Sequence, residues 1–128
     1  MESCLVRFQV EPFQHLQCNM LNKKEIRRRF RTACFERDNY ACVKCGFQSP
    51  LKETDNYLNA HHITNREAMP NGGYVPENGI TLCLDCHIKA EEFYSCGVAH
   101  KGYSVEELYA VINSNYDKAI NASKILII

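Results

Sequence analysis

Two C-x-x-C pairs constrain this chain more than any other feature. Cys42-Val43-Lys44-Cys45 and Cys83-Leu84-Asp85-Cys86 give the pattern C-x2-C-x37-C-x2-C. Each pair makes a tight knuckle, and two knuckles complete a tetrahedral thiolate site for a structural Zn²⁺. The gap is long for a simple ribbon; it suits a clamp that closes a large functional loop. Binding at such a site acts as folding free energy, on the order of 10–16 kcal/mol in isolated zinc fingers. Disulfides are the competing use of these cysteines. Two paired spacings suit one ion better than two bridges, which points to the cytoplasm or another reducing intracellular compartment.

The chain has 128 residues, enough for one domain with its own core and no disulfide support. No apolar run approaches the ~20 residues that a membrane span needs, so no membrane partner is expected. Met1-Glu2-Ser3-Cys4 lacks the positive and apolar regions of a secretory signal, and a secreted product is not expected. Net charge is zero, but residues 23–44 hold eight basic side chains against three acidic ones. A local excess of that kind neutralises phosphates. Cys4, Cys18, Cys34 and Cys96 have no paired spacing and read as small buried apolar residues. His15 and His100 receive no role.

Residues 1–10 alternate as a half-buried strand ended by Pro12, and residues 13–22 show no clear period. From Asn22 to about Arg37 the period becomes helical, with Ile26, Phe30, Ala33 and Cys34 as the apolar stripe and Asn22 as the cap. Lys23, Arg27 and Arg31 share another face. With Arg28, they are the candidate nucleic-acid contacts, the bland alternative being an ordinary solvated face. Tyr40-Ala41 reads as a short extended piece, and residues 46–59 and 65–78 read as long polar loops, which bind something or are held by a metal. Ile80-Thr81-Leu82 reads as a strand, and Leu84 to about Tyr94 as a helix stopped by Gly97. Ser104-Val105-Glu106-Glu107 is a capping box for a further helix with Leu108, Tyr109 and Ile112 inward. The apolar Ile125-Leu126-Ile127-Ile128 is expected to pack on the core.

Between the knuckles lie Ala60-His61-His62-Ile63 and Glu77-Asn78-Gly79-Ile80-Thr81-Leu82-Cys83, and His87 follows Cys86 directly. A zinc ribbon that only binds has no use for histidines in these places. Neutral imidazole, with an ordinary pKa of about 6.5, accepts a proton near neutral pH. On the predicted helix, Glu91 stands four residues from His87 on the same face and is a further candidate ligand. Adjacent residues in a regular strand face opposite sides. His61 and His62 therefore address one phosphate only if the strand twists or bulges, or if they stand at its end. Spacing leaves open which of them is the base.

Those residues resemble the HNH endonuclease family over roughly residues 28–95, with residues 1–22 and 97–128 as flanking extensions of the same domain. The resemblance implies an α+β fold: a small ββα-metal (His-Me finger, treble-clef-like) core with a structural zinc site and flanking helices. It further implies His62 as the general base, His61 and His87 as ligands of a catalytic divalent ion, and Asn78 as the residue that pins the loop and orients the base. The family often has aspartate where this chain has His61. Two imidazole ligands favour Mn²⁺, Ni²⁺, Co²⁺ or Zn²⁺, whereas Mg²⁺ prefers oxygen. The implied activity is metal-dependent hydrolysis of DNA phosphodiesters, the partner being double-stranded DNA; a double-strand break from one site would need a homodimer or two successive nicks. The competing reading is a zinc-ribbon nucleic-acid-binding module without catalysis.

Overall fold

The computed structural model describes residues 22–50 and 54–126. The expected first strand, Cys4, Cys18, His15 and the last two isoleucines lie outside them. Helix α1 spans Lys23–Arg37, the four-residue helix α2 Thr54–Tyr57, strand β1 Leu58–His62, strand β2 Gly79–Cys83, and helix α3 Leu84–Cys96. Helices α4, Val105–Val111, and α5, Tyr116–Lys124, complete the order. The two strands form an antiparallel hairpin in which His61 pairs with Ile80 and His62 with Gly79. With α3 following directly, these elements make a ββα unit within a small α+β fold.

Helix α1 begins where expected, with the Asn22 side chain accepting from the Glu25 amide at 2.8 Å. Its inward face is Ile26, Phe30, Cys34 and Phe35. Cys34 is fully buried, and burial pushes its thiol up to about 12, as suits an inert core cysteine. The helix ends in a staple that the charge count did not foresee. Arg37 binds both oxygens of Asp38 and donates to the carbonyls of Pro76 and Gly79, each at 2.7 Å. Asp38 in turn accepts from the Thr81 amide at 3.2 Å. Arg37 therefore fastens α1 to β2, and that side chain leaves the phosphate-neutralising patch.

Strand β1 starts at Leu58, inside the stretch read as loop. Leu58, Ile63, Ile80 and Leu82 join Phe35, Met69, Leu108 and Tyr109 in the core. The connection from 63 to 78 has no long element, only short 3-10 turns at Arg66–Ala68, Pro70–Gly73 and Pro76–Asn78. It is held from several sides instead. Asn71 donates to the Ser123 carbonyl of α5 at 2.9 Å, and Ser114 donates to the Glu77 carbonyl at 2.9 Å. Helix α5 itself escaped the sequence reading, although Asn115 caps it and Ala119 and Ser123 face inward. Of the apolar tail, Ile125 does not bury as expected, being 80% exposed at the helix cap, while Leu126 is half-buried.

The capping box on Ser104 and Glu107 is formed, and Gly97 ends α3 at φ 80°, a left-handed turn that suits glycine. No helix among the described residues is long and apolar enough to cross a membrane.

Gly79 sits where α1 crosses the hairpin. A Cβ there would fall 2.6 Å from the Phe30 ring and against Cys34 Sγ, with no flexible chain end to yield. Gly79→Ala is expected to destabilise the zinc-loaded protein by about 1–3 kcal/mol, read from the denaturant midpoint. An unchanged midpoint would show that α1 does not press on the hairpin.

Candidate functional site

The four cysteines of the two knuckles come together. Their Sγ atoms all lie within 4.8 Å of one another, and Cys45 and Cys83 are 3.6 Å apart. Zn–S bonds of about 2.3 Å in a tetrahedron place sulfurs about 3.8 Å apart. The cysteines are free rather than bridged, so the donor set fits zinc. Burial pushes the Cys42 thiol up, but backbone N–H groups of Cys45, Cys83 and Lys44 outweigh it and bring it down to about 7. Cys83 is both the last residue of β2 and the N-cap of α3. The loop before α4 closes over this cluster: the Tyr103 hydroxyl donates to Cys86 Sγ at 3.2 Å, and Lys44 and Lys89 lie over its ring at 5.0 and 5.8 Å. Four thiolates around a dication leave net negative charge, which this donor and these two cations offset.

A second cluster stands one helical turn further along α3. His61 Nδ1 and His87 Nε2 are each 3.1 Å from the same oxygen of Glu91. His61 comes from the end of β1, and its ring meets that of His87 nearly edge-on at 5.2 Å. A carboxylate oxygen only accepts, so each nitrogen donates to it when protonated and turns a lone pair the same way when it is not. First-row ions bind imidazole at about 2.0–2.1 Å, which sets neighbouring ligand atoms roughly 3 Å apart. The three atoms therefore fit one divalent ion. His61 is 2% exposed, and burial, aided by the nearby His87, lowers its pKa to about 4 despite Glu91, so the ring is neutral and ready to ligate.

His62 turns to the other side of the strand, as alternation requires. Its ring stacks on Phe30 at 4.4 Å and meets Tyr74 edge-on at 4.8 Å. Burial, with the charge of Arg66, lowers its pKa to about 4. Its Nε2 is buried and has no hydrogen-bond partner among the described residues. Both histidines nonetheless line one cleft of about 310 Å³ with Arg66, His87, Glu91 and Tyr94. The pair stands at the end of its strand, and one cleft can reach both faces there.

Asn78 is fully buried and spends its amide on the loop. Its Oδ1 accepts from the Thr64 amide at 3.0 Å and the Tyr109 hydroxyl at 2.8 Å. Its Nδ2 donates to the carbonyls of Thr64 and Gly73 at 3.1 and 3.2 Å. Gly73, at φ 69°, admits this contact because a Cβ there would lie 2.7 Å from that nitrogen. Tyr94 donates to the Ile63 carbonyl. The two residues after His62 are thus fixed by Asn78, Tyr94 and Tyr109.

Residues 42–93 match the family model described as HNH endonuclease. That segment is similar to an HNH domain. The match supports nuclease activity as the general class of chemistry, and the cysteine cluster supports zinc. No curated protein and no solved structure matches the chain.

Within the matched segment, all four cysteines share one cluster, and His61, His87 and Glu91 share the other. His62 adjoins the second without joining it. The basic residues divide. Arg27 and Arg31 line a cleft beside His62, and Lys23 lines an adjoining one with Arg27, Arg66 and Tyr74. Arg28 instead pairs with Glu25 at 2.6 Å, as Arg29 does at 3.0 Å. Cys96 is exposed rather than buried, with its thiol on the Glu92 carbonyl, and joins neither cluster. Arg66 and Tyr74 were missed because they occupy a polar stretch without period, and Tyr94 because its place at the end of a helix does not show what its hydroxyl meets. Phe30 and Tyr109 did carry a signal, as members of helical apolar stripes, but stripe membership says nothing of a polar partner.

Tyr103→Phe is expected to leave the fold in place and to speed zinc transfer to a chromogenic chelator roughly fivefold, the worth of one hydrogen bond of about 1 kcal/mol. An unchanged rate would mean that the hydroxyl does not bear on the thiolate.

Proposed function

We propose that the chain is a metal-dependent endonuclease that hydrolyses phosphodiester bonds of double-stranded DNA, with His62 as general base. One observation carries this reading: His62, whose buried Nε2 has no hydrogen-bond partner among the described residues, lines the same cleft in which His61, His87 and Glu91 converge. A divalent ion held by those three groups supplies Lewis-acid charge to the phosphoryl and leaving oxygens and makes a bound water more acidic.

The chain's own residues do the rest. His62 is neutral at pH 7 because burial and Arg66 hold its pKa near 4, so its free nitrogen accepts a proton from the attacking water. Phe30 and Tyr74 clamp the ring on a face and an edge, which fixes the direction of that lone pair. Asn78 acts one step back: by holding Thr64 and Gly73 it sets the path of the chain that leaves His62. Arg66 brings a cation to the mouth of the cleft, where it would meet a non-bridging phosphate oxygen. Lys23, Arg27 and Arg31 extend the positive edge along α1, suited to the DNA backbone. Arg28 is already paired with Glu25, so its contact with DNA would require exchange of that partner.

The test is incubation of a supercoiled plasmid with zinc-loaded protein and added divalent ions. Wild type is expected to convert it to nicked or linear form. His62→Ala should keep the fold and DNA binding and lose at least about a hundredfold in rate, the usual contribution of a positioned base. Cys42→Ala should fail to fold stably. A folded wild type that retards DNA without nicking it would instead be a binding module.

Ligand chemistry gives a second check. With two imidazoles and one carboxylate, cleavage is expected to be faster in Mn²⁺, Co²⁺ or Ni²⁺ than in Mg²⁺, and His61→Asp should narrow that gap. Equal or better activity of the wild type in Mg²⁺ would count against His61 as a ligand.

A further inference from the structure

A second cleft opens on the far side of His62. It has a volume of about 220 Å³ and is walled by Arg27, Phe30 and Arg31 of α1, by His62, and by Arg66 and Tyr74 from the long connection. Ala60, His62 and Arg66 line both this cleft and the one holding His87 and Glu91, so the two adjoin along one edge. Their charges differ. The first contains a carboxylate among its imidazoles, as a cation requires. All the charged residues lining the second are arginines.

How those arginines are held matters more than their number. Arg66 donates to the Tyr74 hydroxyl at 3.0 Å, and Arg27 lines the same cleft, near enough to that hydroxyl to help lower its pKa. One neutral oxygen thus holds Arg66 beside Arg27, so that guanidinium groups from separate elements share one cleft. Among the described residues neither has an ion-pair partner, and Arg31 has only a 3.6 Å contact to an exposed Asp55. Elsewhere on the same helix the arginines are neutralised: Arg28 and Arg29 by Glu25, Arg37 by Asp38. Like charges gathered without a carboxylate repel, and an anion seated between them relieves the repulsion. A guanidinium held by one N–H also keeps its remaining donors in a fixed fork, the arrangement that recognises phosphate.

We propose that Arg27, Arg31 and Arg66, with Tyr74 as the residue that positions them, form a subsite for a second phosphate of the cleaved strand, next in line to the one attacked. The proposal rests on the nuclease reading of the adjoining cleft and adds the direction of the strand: from the His61–His87–Glu91 cleft, past His62, along α1. Arg66 sits where the two clefts meet and touches both phosphates.

The experiment uses short DNA duplexes in which one phosphate at a time, on either side of the mapped cut, is replaced by an uncharged methylphosphonate. For wild type, kcat/KM is expected to fall about tenfold or more at one flanking position, the worth of a charged hydrogen bond. Arg66→Gln and the double variant Arg27→Gln/Arg31→Gln should be slower on unmodified DNA and lose most of that sensitivity. Tyr74→Phe should reduce it in part. Lys124→Gln, which removes a positive charge that lines neither cleft, should retain it. Equal sensitivity in wild type and both arginine variants would overturn the subsite while leaving the nuclease reading intact.

A wild type that cuts nothing would remove the nuclease reading, and the subsite is then decided by binding. The slope of log affinity against log salt should fall by about one for each arginine removed. A smaller slope in the arginine variants supports a phosphate site there; an unchanged slope overturns it.

Discussion

Everything near the candidate active site hangs on the convergence of four sulfurs. Cys42 and Cys45 lie between α1 and the hairpin, whereas Cys83 and Cys86 straddle the junction of β2 and α3. Joining them fixes where α3 starts and how it is rotated. His87 follows Cys86 directly, and Glu91 lies one turn on, so the rotation that satisfies the thiolate cluster also decides which way these two ligands face. His61 reaches the same point from β1, whose register with β2 is set by the pairing of Leu58 with Cys83. The hairpin and the helix thus take their relative placement from one cluster, and a second cluster forms where they meet. A short two-stranded ribbon has too little core to hold such precision alone.

Strand alternation, which first looks like an obstacle to using adjacent histidines, divides their labour. His61 turns towards α3, where a carboxylate and a second imidazole wait. His62 turns towards α1, where it meets aromatic rings and arginines. One side of β1 therefore carries groups suited to a cation, and the other carries an uncharged imidazole beside charges suited to an anion. Because the pair ends its strand, a single cleft reaches both sides, and no bulge is needed.

Much of this was legible from spacing. The paired cysteines fixed a clamp, the position of His87 after Cys86 fixed its helix, and the i, i+4 relation brought in Glu91. Helix α1, strand β2 and the capping box of α4 followed from period and cap residues. The limits were equally physical. Strand β1 begins inside a polar run because its neighbours Asn59 and Ala60 are only half-buried, which blurs the period. Helix α5 was missed because its inward residues, Ala119 and Ser123, are small and carry little hydrophobic signal. A count of basic side chains did not separate Arg37, a staple on two carbonyls, from Arg27, which faces the cleft; only their neighbours do. Tyr109 reads as a core aromatic and Tyr94 as a helix end, and both turn out to place their hydroxyls on the loop that follows His62.

The environment of His62 also explains why its ring is held by aromatics. A carboxylate on the remaining ring nitrogen would orient the imidazole but raise its pKa and bind the proton more tightly. Phe30 and Tyr74 give orientation without that charge. Together with burial and Arg66 they keep the ring neutral, at the cost of a weaker base. Such a base suits a nucleophile whose proton is already acidified, which is what a neighbouring cation site provides. Under the proposed mechanism, a weak base at position 62 and a ligand set at 61, 87 and 91 would be matched halves of one design: neither arrangement would serve hydrolysis well without the other.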